Sequence, residues 1–269
     1  MEQYTLTTSD SEIVRLKNQG LVLYPSSQEF IHSFNIKPHW KCLDIACGVR
    51  GALDIFYPLC AETGELVGLD LEEKFTAFAQ KDLQQEGMNK IQFVTASATS
   101  IPFPDNYFDC IHARLFFLIY PHKDKTPVLK EIYRVCKPGG IIGFQESILN
   151  TEIEYYHPIY YEFNELLNDY FIKTDMEVKM GLKLRYFLNT LKLENISIAN
   201  HTPLIPYNHP SSSILIQVIQ SVKEKLFALN MITPESLDVK IKKILEHIKN
   251  TQSFIAYPTI YQAKGTKPL

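Results

Sequence analysis

Apolar residues in the first half of the chain form short continuous runs, separated by longer segments with apolar residues three and four positions apart. Short apolar runs bounded by turn residues predict buried strands, and the longer spacing predicts helices with one apolar face. Strands that alternate with helices in this way predict a parallel sheet in an α/β fold. The predicted strands are residues 41–46, 65–70, 91–95, 108–112 and 141–146, and the predicted helices are residues 52–60, 72–86 and 123–136.

Both ends of the chain depart from this alternation. Residues 12–19 and 26–34 have helical patterns on either side of Pro25, which predicts two N-terminal helices. The C-terminal part predicts a helix at 181–192, a sixth strand at 196–199, a helical pair at 211–229 and 234–250, and a last strand at 254–263.

Aromatic residues are concentrated between residues 150 and 174. Their spacing follows one face of a helix, and such a stripe is most often part of a core. The alternative is a lid that covers a substrate pocket. The stripe consists of Ile153, Tyr156, Tyr160, Phe163, Leu167 and Tyr170.

The composition of the 269 residues fits one domain with a full core, since 45% of the residues are hydrophobic. A net charge of −3 provides no basic surface for nucleic acid. The five cysteines are odd in number and lack Cys-x-x-Cys spacing, which predicts reduced thiols in a cytoplasmic protein without a metal site. The first ten residues lack the apolar stretch of a secretory signal, and no apolar run approaches the length of a membrane span.

The segment Lys41–Gly51 contains the most informative pattern, an apolar run that ends near Asp44 and leads into a turn with Gly48 and Gly51. Glycine accepts positive φ, and its missing Cβ leaves room for a ligand against the backbone. A helix from about Ala52 would offer free N–H groups at its N-terminus. A dinucleotide-binding turn and a purely structural turn are the alternatives, and only Gly48 and Gly51 match the Gly-x-Gly-x-x-Gly spacing.

This segment resembles motif I of the class I S-adenosylmethionine-dependent methyltransferases, usually written Leu-Asp-x-Gly-Cys-Gly-x-Gly. Ala46 stands for the first glycine, Cys47 and Gly48 match, and Arg50 stands for the last glycine. The side chain of Arg50 must turn away if the methionine end of the cofactor is to fit.

Four further segments resemble the same family in order and spacing. Glu65–Asp70 ends in an acid 19 residues after Gly51, where an α/β nucleotide fold places a carboxylate on ribose hydroxyls. Ala96–Asp105 resembles the adenine-side loop, with Ser97 in place of the usual acid. The other two are Tyr107–Leu115, which predicts strand four and its following turn, and Leu129–Gly140, which ends in Lys-Pro-Gly-Gly.

The resemblance implies the class I methyltransferase fold, an α/β fold with a seven-stranded, mostly parallel sheet in the order 3-2-1-4-5-7-6 and helical lid insertions. It implies one domain over residues 1–269, with an N-terminal helical cap at 1–40, a cofactor-binding core at 41–149 and lid elements at 150–180 and 211–250. It also implies S-adenosylmethionine as cofactor and S-adenosylhomocysteine as product. The implied cofactor residues are Asp44, Ala46, Gly48, Gly51, Asp70, Leu71, Ser97, Ala98 and Arg114.

Catalysis would require alignment of donor and acceptor for an in-line displacement, and a base only if the acceptor atom carries a proton. His112 at the end of strand four and Glu146 at the end of strand five are candidate bases, and His122 is a weaker one. Each has a structural alternative, either a core histidine, an acid that anchors a lid, or a loop residue. Arg114 would brace the cofactor-side loop or bind an acidic substrate.

The low basicity and the aromatic segment favour a small, partly apolar acceptor, with neither nucleic acid nor a membrane as partner. The sequence does not indicate an oligomeric state. A methyltransferase-fold protein without catalysis, acting as a binding or scaffold subunit, is the second hypothesis because Arg50 and Ser97 depart from the family pattern. A nicotinamide-dependent oxidoreductase is the third.

Overall fold

The fold is built around a central sheet. The computed structural model describes residues 6–120, 124–149, 158–207, 209–250 and 254–269. The helices are α1 (Asp10–His32), α2 (Leu53–Cys60), α3 (Glu73–Gln85), α4 (Thr126–Val135), α5 (Pro158–Lys173), α6 (Met180–Thr190), α7 (Ile214–Ala228) and α8 (Pro234–Asn250). The strands are β1 (Lys41–Ile45), β2 (Glu65–Asp70), β3 (Ile91–Thr95), β4 (Phe108–Arg114), β5 (Cys136–Ile148), β6 (Glu194–His201), β7 (Leu204–Pro206), β8 (Phe254–Ala256) and β9 (Thr259–Thr266).

The main sheet has seven strands in the order β3-β2-β1-β4-β5-β9-β6. Strands β1 to β5 pair in parallel, and β9 runs antiparallel between β5 and β6. Because β9 is the seventh strand of this sheet in chain order, the predicted α/β fold and the order 3-2-1-4-5-7-6 are confirmed. The carboxyl ends of β1 to β5 therefore meet at one edge, where sheets of this kind bind ligands.

The inner strands are buried on both faces because helices cover the sheet on each side. Helix α4 shows how its sequence produces this packing, since its buried residues recur at helical spacing along one face. These residues are Val128, Leu129, Ile132 and Val135.

The N-terminal segment forms one helix, so the prediction of two helices divided at Pro25 is wrong. Pro25 lies inside α1, although proline removes a backbone donor from a helix. A buried face runs through the proline on both sides, from Leu23 to Ile31, and this packing stabilises the continuous helix.

The predicted last strand at 254–263 is also wrong in its limits, because two strands occupy this segment. Strand β8 pairs with β7 in a separate two-stranded sheet, and β9 joins the main sheet. Pro258 has no N–H for a strand ladder, and the N–H of Tyr257 instead donates to Pro203 O at 2.9 Å. Strands β7 and β8 are too short to be predicted from a periodic pattern.

The inserted helices α5, α7 and α8 share a second apolar cluster outside the main sheet. Of the aromatic stripe, Tyr160, Phe163, Leu167 and Tyr170 are buried on α5, while Ile153 and Tyr156 lie outside the described residues. The stripe is therefore a packed face, and part of it also borders the cavity described below. Within the described ranges, every helix is too short or too polar to cross a membrane.

Candidate functional site

A cavity lies at the carboxyl edge of the sheet, between the ends of β1 to β5 and the helices α1, α5 and α7. Its lining includes residues from motif I, from the end of β2 and from the loop after β3. Six of the predicted cofactor residues line it, namely Ala46, Gly48, Asp70, Leu71, Ala98 and Arg114.

Asp44 and Gly51 stabilise the glycine turn but do not line the cavity. Asp44 is buried, and its Oδ2 accepts a hydrogen bond from the N–H of Ala52 at 2.8 Å, just before α2. Gly51 has a φ of +57°, and a Cβ at this position would lie 2.1 Å from Oδ2 of Asp44. Gly51 is therefore required both for its backbone conformation and for space beside the carboxylate.

Asp70 shapes the turn and faces the cavity. Its Oδ2 accepts from Gly48 N at 2.7 Å and its Oδ1 accepts from Glu72 N at 3.0 Å. Burial raises the pKa of this carboxyl to about 6, which leaves it ionised at neutral pH. Each carboxylate oxygen has two lone pairs, so both oxygens retain capacity to accept hydroxyl groups such as those of a ribose.

Ser97 lies next to the cavity-lining Ala98, but is not itself part of the lining. Its Oγ shares a hydrogen bond with Oγ1 of Thr99 at 2.7 Å and accepts from Thr99 N at 3.1 Å. The hydroxyl therefore shapes the loop after β3 locally.

The side chain of Arg50, which replaces the last glycine of the motif, points away from the cavity. Its guanidinium contacts Glu86 through two hydrogen bonds of 2.7 Å and Asp54 through one of 2.9 Å. A more distant contact of 3.5 Å reaches Asp82, which also pairs with Lys17 of α1. Arg50 thus links the turn to α2, α3 and α1 on the outer side and leaves the inner side clear.

Arg114, at the end of β4, connects the cavity to two neighbouring elements. One guanidinium nitrogen donates to Ser27 Oγ at 2.9 Å, and the other donates to the carbonyl oxygen of Gly51. Burial lowers the pKa of this guanidinium from its ordinary value. Both of these partners are neutral, so the cation braces the glycine turn through uncharged acceptors.

His112 lies in the core and is not part of the cavity lining. Its Nδ1 is 2.7 Å from Oδ1 of Asp44, and its Nε2 is 2.9 Å from Oε1 of Gln145. Since a carboxylate only accepts, Nδ1 carries the hydrogen of the first contact. Phe30 and Phe56 pack against the ring. The structure therefore places this candidate base in a buried polar chain that ties β1, β4 and β5 together.

Glu146 is likewise fully buried and outside the lining. Its Oε1 accepts from the backbone N–H of Phe117, which belongs to the loop after β4. Burial raises the pKa of the carboxyl to about 8, even though several backbone N–H groups oppose this shift. The position fits an anchor for the loop better than a base, and the weaker candidate His122 lies outside the described residues.

Sequence reasoning missed several polar residues of the lining, among them Arg15 and Gln19 on α1 and Tyr257 before β9. Nε2 of Gln19 donates to the hydroxyl of Tyr257 at 2.7 Å, which joins the two segments across the cavity. The spacing of Arg15 and Gln19, one helical turn within the predicted cap, is a signal that could have identified them. Tyr257 has no comparable signal because the strand break beside it was not predicted.

The inserted elements contribute mainly apolar side chains to the lining of the cavity. Helices α5 and α7, the β7–β8 sheet and the loop after β4 each contribute to it. Its apolar residues include Leu118, Ile119, Leu149, Leu167, Phe171, Ile205, Ile214, Leu215, Val218 and Ile255, and Ser147 and Asn164 add polar groups. The described part of the chain contains no cluster of three or more potential metal ligands.

This sheet order, with a glycine turn after β1 and an acid at the end of β2, defines a class I methyltransferase fold. Residues 43–144 match the family model described as a methyltransferase domain. The central part of the chain is therefore similar to the methyltransferase domain that this model describes.

Named relatives agree with this assignment. The chain is 30% identical over 139 residues to a demethylmenaquinone methyltransferase of Anoxybacillus flavithermus, covering 52% of this chain and 57% of the relative. It is 32% identical over 179 residues to a sterol 24-C-methyltransferase of Gibberella zeae, covering 64% and 43% respectively. The matches thus span about half the length of these curated relatives.

A solved structure extends the similarity of the fold to nearly the whole chain. The phosphoethanolamine N-methyltransferase 2 of Haemonchus contortus, in complex with S-adenosyl-L-methionine, superposes with a TM-score of 0.60. The superposition covers 97% of this chain and 58% of that chain at 16% identity. This similarity establishes the fold.

Proposed function

We propose that the protein transfers a methyl group from S-adenosylmethionine to a small, apolar organic acceptor by in-line displacement. One observation carries the proposal: a single cavity is lined at one part by motif residues such as Gly48 and Asp70, and at another by apolar side chains such as Leu167 and Val218. A donor and an acceptor bound there would share one enclosure, and enforced proximity accounts for a large part of such a rate enhancement.

The residues at the motif end fit the cofactor. Gly48 and Gly51 keep the turn open, Asp70 offers acceptors for a ribose, and Ala98 lies where the base edge is expected. When bound, the cofactor supplies a methyl group on a sulfonium that is already activated. The chain's own task is then to hold the acceptor in line and to exclude water.

The acceptor class follows from the apolar part of the cavity. Burying apolar surface against residues such as Phe171, Ile214 and Leu215 contributes roughly 25 cal/mol per Å². The relatives named for a quinone and a sterol act on apolar compounds by name, which supports the same class here. We propose structural roles for His112 and Glu146, because neither side chain lines the cavity.

A binding protein without catalysis is the second hypothesis from the sequence. Its grounds were Arg50 and Ser97, and the outward contacts of Arg50 with Glu86 and Asp54 remove the first of them. Ser97 lies outside the lining, so its substitution for an acid leaves the cavity wall to Ala98.

Titration calorimetry with S-adenosylhomocysteine tests the cofactor. We expect Asp70→Asn to weaken binding about tenfold or more, because charge-assisted hydrogen bonds contribute roughly 1.5–3 kcal/mol. Asp105→Asn, which changes an exposed acid paired with Arg134, should leave the affinity unchanged. No binding by the unaltered protein would overturn the proposal.

Transfer of labelled methyl groups tests the acceptor. The matched probes are 1,4-dihydroxynaphthalene and its carboxylate derivative 1,4-dihydroxy-2-naphthoate. We expect the uncharged probe to be methylated faster at equal concentration, because a carboxylate loses its hydration in an apolar cavity. Faster transfer to the carboxylate, or to phosphoethanolamine, would contradict an apolar acceptor while leaving the cofactor assignment intact.

A further inference from the structure

The two-stranded sheet of β7 and β8 has one face on the cavity and the other face toward solvent. Ile205 and Ile255 are register partners, and both line the cavity. Leu204, Pro206 and Phe254 are one position away from these residues along their strands, so their side chains point to the opposite face. The sheet is therefore a thin wall between the apolar part of the cavity and the surface of the molecule.

The outer face of this sheet is apolar although it is exposed. Leu204 is 57% exposed, Phe254 is 59% exposed, and Pro206, the register partner of Phe254, is exposed as well. An antiparallel sheet with one packed face usually carries polar residues on its solvent face. These three residues, called here the outer patch, lack polar side chains. Apolar residues that are exposed as a group indicate an interaction surface, whereas single ones do not.

Packing on the inner face holds the outer patch in place. Two paired strands are at best marginally stable by themselves. Ile205 is buried in a cluster with Val22 and Leu23 of α1 and with Ile214 of α7. The wall is thus supported from within, and the side chains of the outer patch are available for a partner without being needed for this packing.

The chain segments that form the wall are basic. Residues 195–223 and 247–269 contain lysines and histidines but neither aspartate nor glutamate. Lys249 is exposed and lies five residues before Phe254 in the chain, and the N–H of His209 donates to Pro206 O at 2.9 Å beside the patch. An apolar patch with basic neighbours is complementary to a surface that is negative outside and apolar beneath, as an anionic bilayer is.

We propose that the outer patch binds the surface of an anionic lipid bilayer, with Leu204 and Phe254 among the lipid chains and Lys249 at the head groups. This inference goes beyond the proposed function, because adsorption to a bilayer does not require methyl transfer. An apolar acceptor dissolves in a bilayer, and docking through the wall brings the apolar part of the cavity close to it. The sequence predicted no membrane partner, since the patch forms only when β7 and β8 pair.

Sedimentation with lipid vesicles tests this surface. The probes are vesicles of phosphatidylcholine alone and vesicles of phosphatidylcholine mixed equally with phosphatidylglycerol. We expect tighter binding to the mixed vesicles, and about a tenfold or greater loss of binding in Leu204→Ser/Phe254→Ser, because two apolar side chains no longer leave water. Lys249→Gln should weaken binding to the mixed vesicles about fivefold and leave binding to the neutral vesicles unchanged.

Two matched controls lie elsewhere on the surface. Leu182→Ser/Tyr186→Ser removes side chains of α6 that are 57% and 67% exposed, and Lys90→Gln removes an exposed lysine just before β3, at the far edge of the main sheet from β6. Neither control should change the binding of vesicles. Equal losses in the controls and in the patch variants would mean non-specific adsorption and would overturn the assignment, as would an unaltered protein that does not bind the mixed vesicles.

Fluorescence quenching by lipids with brominated acyl chains locates the bound surface. Trp40→Phe removes the single tryptophan of the chain, and Phe254→Trp then places a reporter in the outer patch. We expect this reporter to be quenched on mixed vesicles, and a reporter from Leu182→Trp in the same background to keep its emission. Quenching of the second reporter without the first would show that another surface inserts, and would overturn the assignment.

A second copy of the chain is the alternative occupant of the outer patch. Light scattering without lipid distinguishes it, since we expect the same mass for the unaltered protein and for Leu204→Ser/Phe254→Ser. A dimer that dissociates in this variant would mean that the patch is an interface between copies, and the bilayer assignment would be wrong. Absence of S-adenosylhomocysteine binding would refute the proposed function and leave the vesicle results unaffected, so the two proposals fail separately.

Discussion

The carboxylate of Asp44 lies 2.7 Å from Nδ1 of His112 in the core of the sheet. The two residues are register partners on β1 and β4, and the other oxygen of Asp44 holds the N–H of Ala52 at the start of the motif helix. The acid of motif I therefore connects the sheet to the glycine turn. Gln145 extends the connection to β5 at 2.9 Å from Nε2 of His112.

Replacing His112 should affect stability more than chemistry. His112→Ala leaves Asp44 and Gln145 buried without this partner, which we expect to lower the free energy of unfolding by about 3 kcal/mol or more. Urea denaturation measures the change, and His39→Ala at an exposed position is the control. A variant that keeps its stability but loses methyl transfer would instead indicate that His112 acts as a base.

Glu146 should make stability depend on pH. Its carboxyl has an ordinary pKa of 4.5 that burial raises to about 8 in the folded protein. Between these values the folded state binds a proton that the unfolded state releases, so stability falls as pH rises, by about 1.4 kcal/mol per pH unit at most. Above pH 8 this contribution is constant.

Urea denaturation at pH 5.5, 6.5, 7.5 and 8.5 tests this dependence with Glu146→Gln. The amide stays neutral and keeps an oxygen for the N–H of Phe117, so the variant should lose less stability across this range. Burial raises the pKa of Asp70 to about 6, so Asp70 also makes stability fall with rising pH, but at lower pH. This contribution is the same in both proteins and cancels when their stabilities are subtracted. Parallel curves would show that Glu146 is ionised in the folded state.

Arg50 can be returned to the glycine of the family pattern. Arg50→Gly removes partly buried ion pairs with Glu86 and Asp54, and ion pairs near the surface contribute roughly 0–1 kcal/mol each. We expect a small loss of stability and an affinity for S-adenosylhomocysteine within about threefold of the original, because the side chain is directed outward. A tenfold gain in affinity would mean that Arg50 enters the cavity and obstructs it.

The sequence predicted the fold well because its signals are local. Short apolar runs and the turn around Gly48 lie within a few residues of each other, so the sheet order followed from a resemblance carried by 41–147. Pro25 misled the prediction because a helix-breaking residue was judged without the buried face that Leu23 and Ile31 provide. Tertiary packing decided that case.

The candidate site was harder to predict where distant segments meet. Ala46, Gly48 and Asp70 were implied by the resemblance to the family motifs, and they line the cavity together. His112 and Glu146 were predicted at strand ends, but β4 continues to Arg114 and β5 to Ile148, so both residues lie within their strands. Spacing also does not show which side of a strand faces a ligand. The buried partners of the two residues decide this, and those partners come from other strands and from the loop after β4.

Two of the left-handed glycines, Gly51 and Gly87, provide a matched test of the motif turn. Both have positive φ, at +57° and +87°, but a Cβ at Gly51 would lie 2.1 Å from Oδ2 of Asp44, whereas nothing lies within 4 Å at Gly87. Gly87→Ala should therefore cost only the backbone strain, about 1–2 kcal/mol. Gly51→Ala should cost more, because Asp44 must leave Ala52 or His112.

Denaturation and calorimetry of the two alanine variants separate strain from displacement. We expect Gly51→Ala to bind S-adenosylhomocysteine at least about tenfold more weakly, since the turn packs against Asp44 of β1 and includes the carbonyl that Arg114 holds. Gly87→Ala should retain the original affinity, because it lies at the end of α3, outside the lining. Equal effects of the two substitutions on stability and affinity would mean that left-handed backbone alone, and not the space beside Asp44, explains the glycine of the motif.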